Sequence, residues 1–117
     1  MKVLLIDDNE TITEMLSKCM SMKNHQCIST NDGRIGLKLI SEKKFDVVLL
    51  DLVMPDFSGV DIIDHLHKSG EISKHKIILF TASSVTDSEI DALIKKGVHS
   101  CLKKPVKLST LMQTIEI

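Results

Sequence analysis

Five polar side chains of the types used to hold a metal ion or a phosphoryl group follow short apolar segments of this sequence. They are Asp7, Asp8, Asp51, Thr81 and Lys104. Three clustered carboxylates repel one another, so at neutral pH they either hold protons or share a cation. Oxygen ligands favour a hard ion such as Mg²⁺. A hydroxyl and an amine beside them complete a cradle for phosphate, and an Asp in that setting is a candidate nucleophile.

The segment Val47–Leu50 is the element on which the candidate nucleophile depends. It is short, continuously apolar and half β-branched, which is typical of a strand buried on both faces of a parallel sheet. Asp51 therefore lies at the carboxyl end of a strand. In an open α/β sheet, ligands bind in the crevice outside those ends.

Similar strand patterns occur at Lys2–Ile6, Gln26–Thr30, Lys76–Phe80 and Ser100–Leu102, and segments with helical periodicity follow each of them. Five strands alternating with five helices, joined by short loops, indicate a parallel sheet with helices on both faces. The alternation alone leaves two strand orders open, 2-1-3-4-5 and a Rossmann-like order.

The helical periodicity also predicts which side chains face the sheet. Asn9 is expected to cap the first helix, Gly36 to mark a close approach in the second, and Gly70 to end the third. The inner positions are predicted to include Met15, Leu16, Ile35, Ile40, Val60, Ile63, Leu93, Ile94, Leu108 and Leu111.

Length, charge and cysteine usage exclude several classes of protein. The 117 residues suit one domain, 1–117, and the balance of 15 basic against 16 acidic residues gives no electrostatic basis for binding nucleic acid. No apolar segment is long enough to predict a signal peptide or membrane insertion, so a cytoplasmic location is expected. The three cysteines lack the spacing of a zinc site or a disulfide framework.

The motif residues together resemble the response-regulator receiver domains of two-component signalling, of the chemotaxis-receiver type. The resemblance is carried by Asp7-Asp8, by the stretch from Asp51 to Gly59, by Thr81-Ala82 and by Lys104-Pro105. It implies a flavodoxin-like (βα)5 doubly wound parallel sheet in the order 2-1-3-4-5, with a cis bond before Pro105.

The resemblance also implies a role for each residue of the site. Asp51 would accept a phosphoryl group from a sensor histidine kinase or a histidine phosphotransfer protein. Magnesium would be held by Asp8, Asp51 and the backbone carbonyl of Val53, with Asp7 acting mainly through a bound water. Thr81 would contact a phosphoryl oxygen, and Lys104 would neutralise charge.

A downstream protein target is expected on the face formed by helix 4, strand 5 and helix 5, and the protein is expected to be a monomer or weak dimer. The strand-five position that often carries an aromatic switch residue is Cys101. The chain ends after the fifth helix, which fits either a stand-alone receiver or the excised N-terminal domain of a larger regulator.

Two alternatives remain beside the phosphoacceptor module. One is a phosphohydrolase with an Asp nucleophile; many of those need a second Asp two residues on, where this chain has Val53. The other is a receiver-shaped interaction domain that is never phosphorylated, which the complete set of Asp, Thr and Lys residues disfavours.

Overall fold

The computed structural model describes residues 1–116, so the last residue of the predicted domain, Ile117, lies outside the described part. Strands and helices alternate along it. The elements are β1 (Lys2–Ile6), α1 (Glu10–Met22), β2 (Gln26–Thr30), α2 (Gly33–Glu42), β3 (Val47–Leu50), α3 (Gly59–Ser69), a short 3-10 turn (Ile72–Lys74), β4 (Ile77–Ala82), α4 (Asp87–Lys96), β5 (Ser100–Lys104) and α5 (Leu108–Glu116).

The five strands form one parallel sheet in the order β2-β1-β3-β4-β5, which confirms the flavodoxin-like arrangement. The register aligns the carboxyl ends of the inner strands: Ile6 lies opposite Leu50, and Leu50 lies opposite Leu79. β3 is buried along its whole length, as its continuous apolar sequence predicts. The residues that follow β1 and β3 therefore emerge side by side.

Each face of the sheet has its own apolar core. One core joins the sheet to α2, α3 and α4 through side chains such as Ile40, Ile63 and Leu93. The other joins it to α1 and α5 through side chains such as Leu16 and Leu111. None of the helices in residues 1–116 has the length and apolar character to cross a lipid bilayer.

Local signals in the sequence set the helix ends. The side chain of Asn9 accepts a hydrogen bond from the backbone N–H of Ile12 (3.1 Å), and Ser58 and Asp61 form a capping box at the start of α3. Gly70 ends α3 in the left-handed conformation, with φ of 76°. A Cβ at Gly36 would lie 2.7 Å from the side chain of Ile6, so the predicted close approach of α2 is confirmed.

The predicted inner faces of the helices were too wide. Five residues assigned to them are exposed: Met15, Ile35, Val60, Ile94 and Leu108. Four of them directly adjoin a residue that is buried in their place, Leu16, Gly36, Gly59 or Leu93. Neighbours on a helix point about 100° apart, so the sheet covers one of each pair, and an apolar pattern alone does not say which.

Two strands also run further than the sequence predicted. β4 continues through Thr81 to Ala82, and β5 continues to Lys104, because Thr81 lies opposite Lys103 and Ala82 opposite Lys104 in the parallel ladder. The ladder joins backbone groups, so it continues through polar residues such as Thr81 and Lys103. The Lys104–Pro105 peptide bond is cis, as the resemblance implied.

We expect two isoleucine substitutions to separate the true inner face from the predicted one. Ile63 is fully buried, and Ile63→Ala should lower the free energy of unfolding by about 2–5 kcal/mol. Ile35 is 51% exposed, and Ile35→Ala should change it by no more than about 0.5 kcal/mol. Urea unfolding measures both, and equal losses would contradict this assignment of faces.

Candidate functional site

The carboxyl edge of the sheet brings together the five predicted site side chains. Asp7 and Asp8 follow β1, Asp51 follows β3, Thr81 lies near the end of β4, and Lys104 is the last residue of β5. One carboxylate oxygen from each of the three acids lies within 4.8 Å of the other two. The cluster therefore forms as the strand ends predict.

Asp51 is buried and held through both of its carboxylate oxygens. The residue is only 6% exposed. Its Oδ1 accepts hydrogen bonds from the N–H of Val53 (3.2 Å) and from the hydroxyl of Thr81 (3.3 Å). Oδ2 lies 3.4 Å from Nζ of Lys104. Burial, followed by the negative charge of Asp7, raises the pKa of Asp51, and Lys104 and the Val53 amide offset only part of this effect.

Asp7 is the other buried acid, and it makes the shorter contact with the lysine. Its Oδ2 lies 2.8 Å from Nζ of Lys104, while Oδ1 accepts a hydrogen bond from the N–H of Asn9 (2.9 Å). Burial by itself lowers the pKa of Lys104, but the hydrogen bond to Asp7 and the charges of Asp51 and Asp7 outweigh it, so the pKa is raised. Lys104 is thus held as a cation between two acids, while Asp8 is exposed at the rim.

Thr81 and the loop after β4 differ sharply in burial. Thr81 is fully buried, whereas Ala82, Ser83 and Ser84 are exposed before Val85 packs into the core. Cys101 is half-buried on β5, and burial raises the pKa of its thiol. The small thiol leaves this strand without a bulky side chain at that position.

Lys103, the residue before Lys104, is partly buried and forms an ion pair. Its Nζ lies 2.9 Å from Oδ1 of Asp87, at the start of α4. Because Lys103 pairs with Thr81 in the sheet ladder, this ion pair links the end of β5 to the helix that follows β4.

Sequence reasoning missed one side chain that supports the acids. Nδ2 of Asn31 donates to the backbone carbonyl of Asp7 (2.8 Å) and to the hydroxyl of Thr13 (3.1 Å). Its place directly after β2, at the same sheet edge as the acids, was the available signal. Val53 has an exposed side chain, and its predicted backbone role stays a prediction.

The donor set suits a hard divalent cation. Oxygen atoms from three carboxylates converge, two of those acids are buried, and Lys104 is the cation that already lies against them. Magnesium binds through one or two carboxylates and keeps other positions for water and phosphate oxygens. The residues present therefore fit the predicted ion.

Comparison with known proteins identifies the family. The model of the family described as "Response regulator receiver domain" matches residues 3–116. The chain belongs to that family. Receiver domains are signalling domains of two-component systems; they bind Mg²⁺ at an acidic pocket and work with histidine kinases and downstream effectors.

Three relatives show how this receiver domain compares in sequence and structure. Protein PilH of Pseudomonas aeruginosa is 34% identical over 97% of this chain and 93% of its own length. Sensor histidine kinase RcsC of Escherichia coli is 29% identical over the full chain, which spans 12% of that kinase. The structure of response regulator TrrA from Thermotoga maritima, in complex with Mg²⁺ and beryllium fluoride, is 24% identical with a TM-score of 0.83, covering 98% of this chain and 96% of that one.

The raised pKa of Asp51 predicts the pH dependence of stability in the metal-free protein. Because the pKa of Asp51 is raised in the folded protein, its carboxyl group contributes to the free energy of unfolding in full below the ordinary pKa of 3.8. This contribution is lost as the pH rises through the pKa of the folded state. Asp51→Asn does not ionise, so at pH 7 its unfolding temperature should exceed that of the wild type. Below about pH 4 the difference should disappear, because both side chains are then neutral.

Thermal unfolding from pH 3 to pH 8 with a chelator present tests this expectation. Asp91→Asn, at an exposed position on α4, is the matched control and should follow the wild type throughout. A lower unfolding temperature for Asp51→Asn at pH 7 would show that the ionised carboxylate stabilises the fold.

Proposed function

We propose that this receiver domain accepts a phosphoryl group on Asp51 from a sensor histidine kinase or a histidine phosphotransfer protein, in a Mg²⁺-dependent reaction. The modification then switches the surface that binds a downstream partner. The observation that carries the proposal is the setting of Asp51: a buried carboxylate at the end of a central strand, with Thr81 on one oxygen and Lys104 near the other.

The transfer needs positioning and charge neutralisation more than covalent machinery. A carboxylate oxygen of Asp51 forms a bond to phosphorus as the bond from phosphorus to the donor histidine nitrogen breaks, and the electron pair and a proton stay with the imidazole. Lys104 and the Val53 amide already lie against Asp51, so they are placed to balance the negative charge that arrives. The hydroxyl of Thr81 is placed to donate to a phosphoryl oxygen.

Asp8, Asp51 and the backbone carbonyl of Val53 would hold Mg²⁺ directly, with Asp7 acting through water. The ion supplies positive charge to the phosphoryl oxygens when it is bound. The convergence of the three carboxylates supports this assignment. TrrA, which shares the fold, forms a complex with Mg²⁺ and a phosphoryl mimic.

The two alternative functions fit the site less well. A phosphohydrolase would use a second acid two residues after the nucleophile, and the side chain there is the exposed Val53. An interaction domain that is never phosphorylated has no need to bury two carboxylates beside a lysine and a threonine.

We further propose that the downstream partner binds the face formed by α4, β5 and α5. We propose a cytoplasmic location and a monomer or weak dimer as the assembly state.

Asp51 is expected to be the sole phosphorylation site. Intact-mass measurement after exposure to acetyl phosphate and Mg²⁺ should show one phosphoryl adduct on the wild type and none on Asp51→Asn. Asp56→Asn, an exposed acid in the same loop, should keep the adduct. An undiminished adduct on Asp51→Asn would refute the assignment.

Replacing Asp8 should remove tight magnesium binding, because one of the predicted direct ligands is lost. It should also relieve repulsion among the carboxylates and so raise the unfolding temperature without metal. Magnesium titration followed by NMR, with Glu10→Ala as an exposed control two residues on, tests both effects. Unchanged affinity in Asp8→Ala would exclude Asp8 as a ligand.

Thr81 is expected to couple phosphorylation to the β4–α4 loop. Cys101 is too small to act as an aromatic switch, whereas residues 82–84 are exposed and have few anchors, so this loop is the part expected to move. Beryllium fluoride should shift the amide resonances of residues 82–95 in the wild type and in Thr81→Ser, which keeps the hydroxyl. Equal shifts in Thr81→Ala would show that coupling runs through another residue.

A further inference from the structure

The turn between β2 and α2 supplies none of the five site side chains, yet it contacts both loops that carry the acids. Asn31 lies against the loop after β1, which holds Asp7 and Asp8. Gly33 and Arg34 lie against the loop after β3, which follows Asp51. We call residues 31–34, which include the first two residues of α2, the β2–α2 turn.

On its first side the turn and the end of β2 together hold the backbone of Asp7. The N–H of Asp7 donates to the carbonyl of Thr30 (3.2 Å), and the carbonyl of Asp7 accepts from Nδ2 of Asn31 (2.8 Å). Nδ2 also donates to the hydroxyl of Thr13, which is buried on α1 and in turn donates to the carbonyl of Glu10. One amide group thus joins the strand end, the acidic loop and the first helix.

On its second side the turn meets the loop after β3 backbone to backbone. A Cβ added at Gly33 would lie 2.0 Å from the carbonyl oxygen of Phe57, a separation that a real Cβ does not reach. The guanidinium of Arg34 lies 4.8 Å from the centre of the Phe57 ring, within the range of a cation–π contact. The first turn of α2 therefore sets how near this loop can come.

The N-terminus of α2 is itself held rigidly. Oδ1 of Asp32 accepts hydrogen bonds from the N–H groups of Arg34 (2.8 Å) and Ile35 (3.2 Å), and Gly36 packs against Ile6. A rigid turn with contacts to two loops fixes the distance between them. The register of β1 and β3 sets where Asp7 and Asp51 leave the sheet, and the turn holds the loops that follow them, which carry Asp8 and the amide of Val53.

We propose that the β2–α2 turn is a positioning element for the metal and phosphoryl site, with Asn31 and Gly33 as its two positioning residues. The proposal rests on the proposed function, since it concerns the geometry that magnesium binding needs. Groups that orient metal ligands typically change metal affinity by about 10- to 100-fold when they are replaced. Asn31 and Gly33 act on different loops, so each should contribute separately.

The test compares Asn31→Ala and Gly33→Ala with Gly97→Ala. Gly97 has a φ of 126° and ends α4 at the opposite edge of the sheet, so its replacement should destabilise the fold without reaching the acids. Magnesium titration should show losses of about 10-fold for the first two variants and an unchanged affinity for Gly97→Ala. The unfolding temperature of each variant gives the stability comparison.

Hydrogen exchange without metal provides a second measurement. The amides of Asn9 and Val53 donate to the carboxylates of Asp7 and Asp51, and each should exchange faster when its loop is released. We expect Asn31→Ala to affect Asn9 and Gly33→Ala to affect Val53. If Gly33→Ala does not fold, Asn31→Ala, which changes an exposed residue, still decides the outcome.

The failure of this inference is distinct from that of the proposed function. Wild-type protein that binds Mg²⁺ but takes no phosphoryl group would refute the function alone. Wild-type magnesium affinity and amide exchange in Asn31→Ala, and in Gly33→Ala where that variant folds, would overturn the positioning role. An equal loss of affinity in Gly97→Ala would also overturn it, because the loss would then follow general stability.

Discussion

Two acids of this protein are buried within reach of each other, and Lys104 lies between them. Ionised carboxylates at 4% and 6% exposure, Asp7 and Asp51, repel at short range and have lost most of their hydration. The ammonium group, 2.8 Å from one and 3.4 Å from the other, offsets part of that repulsion. Burial and the charge of Asp7 raise the pKa of Asp51, and Lys104 offsets them only in part. The site thus keeps an attraction for a further cation.

The strand order makes this arrangement possible. β1 and β3 are neighbours, so Asp7 and Asp51 leave the sheet side by side, and β4 and β5 extend the same edge to Thr81 and Lys104. A Rossmann-like order would separate these strand ends. The continuous apolar sequences of β1 and β3 matter for the same reason, because only strands covered on both faces place their ends over a dry, rigid base.

The sequence was sufficient to predict the order of helices and strands and the convergence of the five candidate side chains at one sheet edge, since each depends on local patterns or on a strand end. It did not resolve which of two adjacent apolar residues faces the sheet, as Met15 and Ile94 show, because periodicity does not measure how wide a stripe the sheet covers. It also missed the contacts of Asn31 with Asp7 and Thr13. The position of Asn31 directly after β2 places it at the edge that carries the acids, but the contacts join distant parts of the chain, and the local sequence does not say which groups its side chain reaches.

The separation of the two apolar cores has a consequence for how such a domain can diversify. The sheet keeps the side chains beneath α1 and α5 apart from those beneath α2, α3 and α4. Substitutions in one layer can be repacked there without altering the other layer, because energetic effects at sites with no shared contacts are close to additive. The acids lie at the edge of the sheet, outside both layers. Either helical surface can therefore acquire new recognition properties over generations while the chemistry at that edge is inherited unchanged.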